Sequence, residues 1–222
     1  MDHYELISAF ETACRPWARQ IFVIDDLAQH THDADVLLDQ TYARSEQDYA
    51  SLVPDKCLVL TGSCYALLRP EFATGRLRSL SRRTSNKHGV KRIFVMVGGT
   101  DQFDTTSLIL DGIEQSRIDV FVDIVLGKSS PQLQKIRQRI ETMSKTRLFV
   151  EPYNVASLMI QADLAIGAGG TASWERCCLG LPTLTITTAI NQLGVNARLD
   201  RAGAVIHIGE HVNLNRSSIK TA

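Results

Sequence analysis

Apolar and polar positions divide the chain into two stretches of different regularity. From residue 92 onward, short apolar runs rich in β-branched residues alternate with stretches of helix length. The runs predict strands over Arg92–Val97, Val120–Leu126, Arg147–Val150, Leu164–Ile166, Thr183–Ile186 and Ala204–His207. The stretches between them predict helices over Thr105–Gln115, Pro131–Met143, Asn154–Gln161, Thr171–Leu179 and Asn191–Arg201. Strand–helix alternation with apolar strands specifies an α/β class with a parallel sheet covered on both faces. Six strands match the size of a full Rossmann-like lobe.

Before residue 92 the pattern is less regular. Glu5–Cys14 has helical spacing and stops at Pro16. Ile21–Ile24 is an apolar strand ending at Asp25-Asp26, and Val36–Leu38 and Leu58–Leu60 are further strands. This amounts to part of an α/β lobe that opens on a helix. The window 75–99 carries seven basic residues (Arg76, Arg78, Arg82, Arg83, Lys87, Lys91, Arg92) and no acid. Its middle, Ser79 to Gly89, is nearly free of apolar side chains. It reads as a solvated interlobe linker, with a phosphate-steering patch as the alternative. The expected division is a partial N-terminal α/β lobe over 1–75, a basic linker over 76–91, and a C-terminal Rossmann-like lobe over 92–222.

Composition narrows the partners. Lys+Arg and Asp+Glu both number 24 in 222 residues, which argues against a nucleic-acid protein that binds by neutralising phosphates. No apolar run approaches the roughly 18 residues of a membrane span, and the acidic start, with Asp2, Glu5 and Glu11, is not a signal peptide. Five cysteines with no C-x-x-C pair suit reduced thiols. The expectation is a cytoplasmic monomer with no nucleic-acid or membrane partner.

Ligands of open parallel sheets bind beyond the carboxyl ends of strands. Two loops stand out there: Gly98-Gly99-Thr100-Asp101, and Gly167-Ala168-Gly169-Gly170-Thr171. Glycines let backbone N–H groups approach an anion, and a following helix adds positive potential, so both loops suit a phosphate or pyrophosphate. Gly167-x-Gly169-x-x-Ala172 formally matches a dinucleotide fingerprint, but no Asp or Glu occurs from Arg176 to Leu199 to hold the ribose, and NAD is rejected. Glu175 lies one turn past Thr171 and can accept both hydroxyls of a ribose whose phosphates rest on the loop. No Walker loop is present. The run His30-Thr31-His32-Asp33-Ala34-Asp35 does not read as a metal site, because alternating neighbours on a loop seldom converge on one ion. Asp25 and Asp26 point to opposite faces, one of them capping the next turn. Cys177 and Cys178 read as core rather than as nucleophiles.

Several strings resemble a hydrolase of nucleotide sugars. They are Asp25-Asp26-Leu27-Ala28, His32 through Gln40, Asp48-Tyr49, Tyr65-Ala66-Leu67-Leu68-Arg69-Pro70-Glu71-Phe72, Gly98-Gly99-Thr100-Asp101 and the helix from Gly169 to Leu181. The family they resemble is the UDP-2,4-diacetamido-2,4,6-trideoxy-β-L-altropyranose hydrolase of pseudaminic acid biosynthesis, over nearly the whole chain. The resemblance implies a glycosyltransferase-B-like fold of two Rossmann-like lobes, the N-terminal one incomplete, with UDP held mainly by the C-terminal lobe and no cofactor. It implies that Gly169, Gly170 and Thr171 bind diphosphate and that Glu175 binds ribose; from the glycine loops themselves, Gly98, Gly99 and Thr100 join them beside the phosphates. Asn191 and Gln192 match a motif facing the sugar. Asp2-His3-Tyr4 matches an Asp-His-Tyr whose tyrosine lies by the catalytic centre. The implied reaction is inverting, metal-independent attack of water at the anomeric carbon with UDP leaving. The family's histidine base sits in a Gly-x-Gly-His-x-x-Arg loop that this sequence lacks. The expectation is therefore a chain truncated at both ends, with His3 a conceivable substitute base. A UDP-sugar glycosyltransferase, or a catalytically deficient UDP-sugar-binding fragment, stands as the alternative.

Overall fold

The computed structural model describes residues 1–215 and Ile219. The chain forms two compact units, Met1–Leu67 and the remainder from Leu68.

The first unit carries α1 (Ser8–Cys14) and three parallel strands in the order β1 (Phe22–Ile24), β2 (Val36–Asp39), β3 (Leu58–Thr61). Val23 pairs with Leu37, and Leu37 with Val59. These strands bury Val23 and Leu37 with Cys14, Ile21, Ala34 and Tyr49. Polar groups join the loops at the strand ends. Asp25 accepts the N–H groups of Leu27 (3.2 Å) and Ala28 (2.9 Å), which is the turn cap expected of that pair. The buried Tyr49 hydroxyl lies 2.8 Å from both Asp25 Oδ2 and Asp39 Oδ2. Burial, then the two carboxylates, push that phenol far above its ordinary range. The histidine–aspartate run serves packing: buried His32 pairs with buried Glu11 at 2.8 Å, and Asp33 and Asp35 hold Arg15.

The second unit opens with α2 (Pro70–Ser85) and continues β4 (Arg92–Met96), α3 (Thr105–Ser116), β5 (Phe121–Leu126), α4 (Leu133–Ile140), β6 (Thr146–Val150), α5 (Val155–Gln161), β7 (Leu164–Ala168), α6 (Ala172–Cys178), β8 (Thr183–Thr187), α7 (Gln192–Arg201) and β9 (Ile206–Glu210). All six strands are parallel, in the order β6-β5-β4-β7-β8-β9. The chain starts in the middle of the sheet, builds outward to β6, then returns to β7 on the other side of β4. The point between β4 and β7 is therefore a topological switch. One face of the sheet packs Ile93, Val95, Ile124 and Ile166 against Ile109 and Leu110 of α3 and Ile136 of α4. The other packs Phe94, Val125 and Ala165 against Phe72 of α2 and Met159 of α5. The final strand starts two residues later than its apolar pattern suggests. Gly203, at φ +69°, and Ala204, whose N–H reaches Leu199 O at 2.9 Å, close the end of α7 first.

The basic window is not a linker over most of its length, because α2 occupies it through Ser85. The proline at the first helical position and buried Phe72 and Ser79 set the helix and its inward face. Arg76, Arg82 and Arg83 have partners. Arg83 donates to the carbonyls of Met159 (2.9 Å) and Ala162 (3.3 Å) at the end of α5. Arg82 pairs with Asp163 at 2.6 Å. Arg76 donates to Cys178 O, and Ser79 Oγ to Leu179 O at 2.7 Å, at the end of α6. Cationic side chains at helix C-termini satisfy orphan carbonyls and oppose the negative end of the dipole.

Candidate functional site

Both glycine loops meet at the switch point. A crevice of about 350 Å³ opens at the carboxyl ends of β4, β7 and β8. Gly98, Thr100 and Asp101 from the first loop line it, with Ala168, Gly170 and Thr171 from the second and Thr188 and Gln192 from the start of α7.

The first loop is shaped by its glycines and by Asp101. Gly98 has φ +100°, which a side chain would strain. The carbonyl of Gly99 accepts the N–H of Gly127 at 2.9 Å, tying the loop to the end of β5. Asp101 is buried and accepts the N–H groups of Thr105 (2.9 Å) and Thr106 (3.1 Å), capping α3. Burial raises its carboxyl above the ordinary value.

The second loop differs residue by residue. A Cβ on Gly169 would fall 2.0 Å from Asn196 Oδ1, so packing alone requires glycine there. A Cβ on Gly170 would meet only Gln192 Nε2, at 3.8 Å. The ladder pairing of Ala168 with Ile186 directs the Gly169 N–H across the sheet toward Ile186 O, whereas the N–H groups of Gly170 and Thr171, beyond the strand, meet no backbone acceptor among the described residues. The following helix spans seven residues, too short for the dipole alone to supply much potential.

Gln192 is fixed by its oxygen. Its Oε1 accepts the N–H (3.0 Å) and hydroxyl (3.2 Å) of Thr188, which leaves Nε2 as the group beside Gly170. Asn191, one residue earlier, is exposed at the cap of α7 and is not among the crevice-lining residues. Glu175 is half-buried on α6, also outside the lining, with Arg69, Arg176 and Glu71 in its electrostatic surroundings. Burial, only partly offset by Arg69 and Arg176, raises its carboxyl. His3 and Tyr4 belong to the first unit. His3 Nδ1 accepts the Glu5 N–H at 3.1 Å, and the Tyr4 hydroxyl donates to Asp26 Oδ2 at 3.3 Å. Burial, before any other influence, raises the Asp26 carboxyl. Cys177 and Cys178 are half-buried, and burial pushes the Cys177 thiol up, away from nucleophile chemistry.

Two residues with no part in the sequence reading support this loop. Asn196, 0% exposed, donates through Nδ2 to Thr187 Oγ1 at 2.8 Å, and Thr187 in turn meets His207 Nε2 at 3.0 Å. Its Oδ1 has no partner and faces Gly169. The spacing of four from Gln192 puts both on one helix face, a signal that was available. Arg176 is 1% exposed and donates to Ala168 O at 2.7 Å and Ser173 Oγ at 3.0 Å. Its signal was weaker, a single charge among Trp174, Cys177 and Leu179.

No family model matches the chain. It is 30% identical over 172 residues to the UDP-2,4-diacetamido-2,4,6-trideoxy-β-L-altropyranose hydrolase of Campylobacter jejuni, covering 75% of this chain and 57% of that protein. It is 28% identical over 153 residues to the spore coat polysaccharide biosynthesis protein SpsG of Bacillus subtilis, covering 68% and 44%. The chain thus spans about half the length of these relatives. Among solved structures it is similar to MurG of Acinetobacter baumannii, with TM-score 0.58, 14% identity, and 99% of this chain and 61% of that one covered. It is also similar to the S. aureus MnaA–UDP structure, with TM-score 0.56, 14% identity, and 85% and 49% covered. The fold is the glycosyltransferase-B type, α/β with parallel sheets. No helix among the described residues is long and apolar enough to cross a membrane.

Proposed function

We propose that the crevice binds the diphosphate of a UDP-sugar, and that the protein hydrolyses a UDP-linked diacetamido-trideoxy sugar at its anomeric carbon, releasing UDP and free sugar. The observation that carries the reading is the pair of consecutive N–H groups on Gly170 and Thr171, without a backbone acceptor among the described residues, lining the crevice at the switch point of the sheet. Consecutive backbone donors of this kind suit phosphate oxygens. The relative named as that hydrolase, at 30% identity, supports the choice of sugar.

In this reading Gly98, Gly99 and Thr100 flank the phosphates from the first loop, and Gln192 Nε2 donates beside Gly170. Glu175 holds the ribose hydroxyls and Asn191 faces the sugar. Fixed N–H donors stabilise the charge that develops on the departing diphosphate, and they need no reorganisation as it forms. The remaining chemistry is deprotonation of one water, which typically contributes 10²–10⁴-fold.

Incubation with the UDP-linked diacetamido sugar, followed by product analysis, tests the proposal. UDP and free sugar in equal amounts are expected. A glycoside formed only when an acceptor is added makes the protein a transferase instead. A thermal shift with UDP but no turnover of the sugar leaves this chain the binding step alone.

A further inference from the structure

The crevice presents a problem in charge. A diphosphate is strongly anionic, yet among the described residues no lysine or arginine lines the crevice, and the one ionisable lining residue among them is Asp101. The helix that follows the loop is short. The nearest fixed positive charge with a hydrogen bond to the loop's strand is Arg176.

Arg176 is the most deeply buried cation among the described residues, at 1% exposed. Arg83, half-buried, also lacks an ion pair, but it donates to Ser79, Met159 and Ala162. Arg44, Arg82 and Arg92 each pair with a carboxylate, that of Asp39, Asp163 and Asp123 respectively. Arg176 forms no ion pair among the described residues. Its Nη2 serves two neutral acceptors, and Nε and Nη1 have no partner at all. Burial pulls the guanidinium down to about 10, so it stays charged at neutral pH. The strand makes room for it: a Cβ on Gly167 would lie 2.9 Å from Nη1. Burying an unpaired cation is costly, and proteins retain one where its field acts on something else. The bond to the Ala168 carbonyl also fixes a peptide. In a trans peptide C=O and N–H point in opposite directions, so the Gly169 N–H points away from the guanidinium.

We infer that Arg176 is the internal counter-charge of the anion site, a positioning residue behind the loop whose unpaired cation draws phosphate to the N–H groups of Gly170 and Thr171. The inference rests on the reading of this crevice as a phosphate site, and explains how a site without cationic lining holds a dianion or trianion.

Calorimetric binding of UDP, pyrophosphate and uridine to the wild-type chain, R176M and R176K tests it, with folding checked by circular dichroism. The neutral variant R176M is expected to lose at least about tenfold of its affinity for pyrophosphate and UDP, as removal of a unit charge near a partly buried anion requires. Uridine affinity is expected to stay within about twofold. R176K, which keeps the charge, is expected within about fivefold of wild type for pyrophosphate. Wild-type pyrophosphate or UDP affinity in R176M overturns the inference. So does equal weakening of uridine and pyrophosphate, the mark of a merely structural arginine. Should R176M fail to fold, R176K decides: retained affinity supports the inference, and its loss in a folded protein overturns it. Wild-type binding of pyrophosphate without UDP overturns the nucleotide reading alone, and binding of neither overturns both.

Discussion

Replacing Gly169 by alanine isolates packing from ligand binding in the glycine loop. The new Cβ would lie 2.0 Å from Asn196 Oδ1 and 2.4 Å from its Cγ and Nδ2. Asn196 has little freedom to retreat, since it is 0% exposed and its Nδ2 is bonded to Thr187. Overpacking a full interior of this kind costs about 1–3 kcal/mol. At about 2–4 °C per kcal/mol for a chain of this size, Gly169→Ala is expected to lower the melting temperature by about 2–12 °C. Gly170→Ala is the matched control. Its Cβ makes one ordinary contact at 3.8 Å, so stability is expected within about 0.5 kcal/mol of wild type. The decisive measurement is the double-mutant cycle by urea denaturation. Asn196→Ala alone removes a buried hydrogen bond and leaves a hole. In Gly169→Ala/Asn196→Ala the new methyl enters that hole, so the two changes should be less harmful together than their sum, by about 0.5–3 kcal/mol. Strict additivity, or a Gly169→Ala melt indistinguishable from that of Gly170→Ala, would refute the claim that Asn196 dictates this glycine.

Glu175→Ala is expected to remove most of the thermal stabilisation by UDP, which at 100 times the dissociation constant is about 2.7 kcal/mol, while leaving the pyrophosphate shift in place; an unchanged UDP shift rejects the ribose assignment. Asp163 supplies a pH dependence. Burial would raise its carboxyl, but the N–H groups of Lys91 and Arg92, both at 2.9 Å, and the Arg82 guanidinium outweigh it and hold the carboxyl below the ordinary value. A depressed carboxylate contributes stability above its unfolded pKa of about 3.9, and that contribution is lost as pH falls through the lower folded value. Asp163→Asn should therefore be destabilised at pH 7, with the gap to wild type shrinking toward pH 3. A gap in urea midpoint that is constant with pH contradicts this.

The parallel sheet was legible because strands buried on both faces read as continuous apolar runs. Ile93, Phe94 and Val95, or Leu184 through Ile186, announce themselves without context. The two glycine loops were legible because each follows such a run directly. The reasons for their glycines were not. Gly169 yields to Asn196, 27 positions away on another helix, and only tertiary packing brings them together. Helix α2 was missed for the same reason. Its arginines find acceptors 76 to 102 residues along the chain, whereas local pattern registers only a charged, weakly apolar stretch. Arg176 was hidden by rule rather than by distance, since an arginine on a short helix is normally assigned to solvent.

The acceptors of α2 also speak against the steering alternative for Arg76, Arg82 and Arg83. A steering patch needs charges free to face an approaching anion. Arg82 and Arg83 instead face Asp163 and the last carbonyls of α5, and Arg76 and Ser79 face those of α6. A seven-residue helix has little stability of its own, because most of its carbonyls lie in the last turn and lack partners within the helix. By satisfying Cys178 O and Leu179 O from outside, α2 holds α6 in place, and α6 carries Glu175, Arg176 and the helical continuation of the Thr171 loop. Arg76 thus reaches the crevice mechanically, by fixing the helix behind it, while Arg176, buried on that helix without an ion pair among the described residues, reaches it through its field.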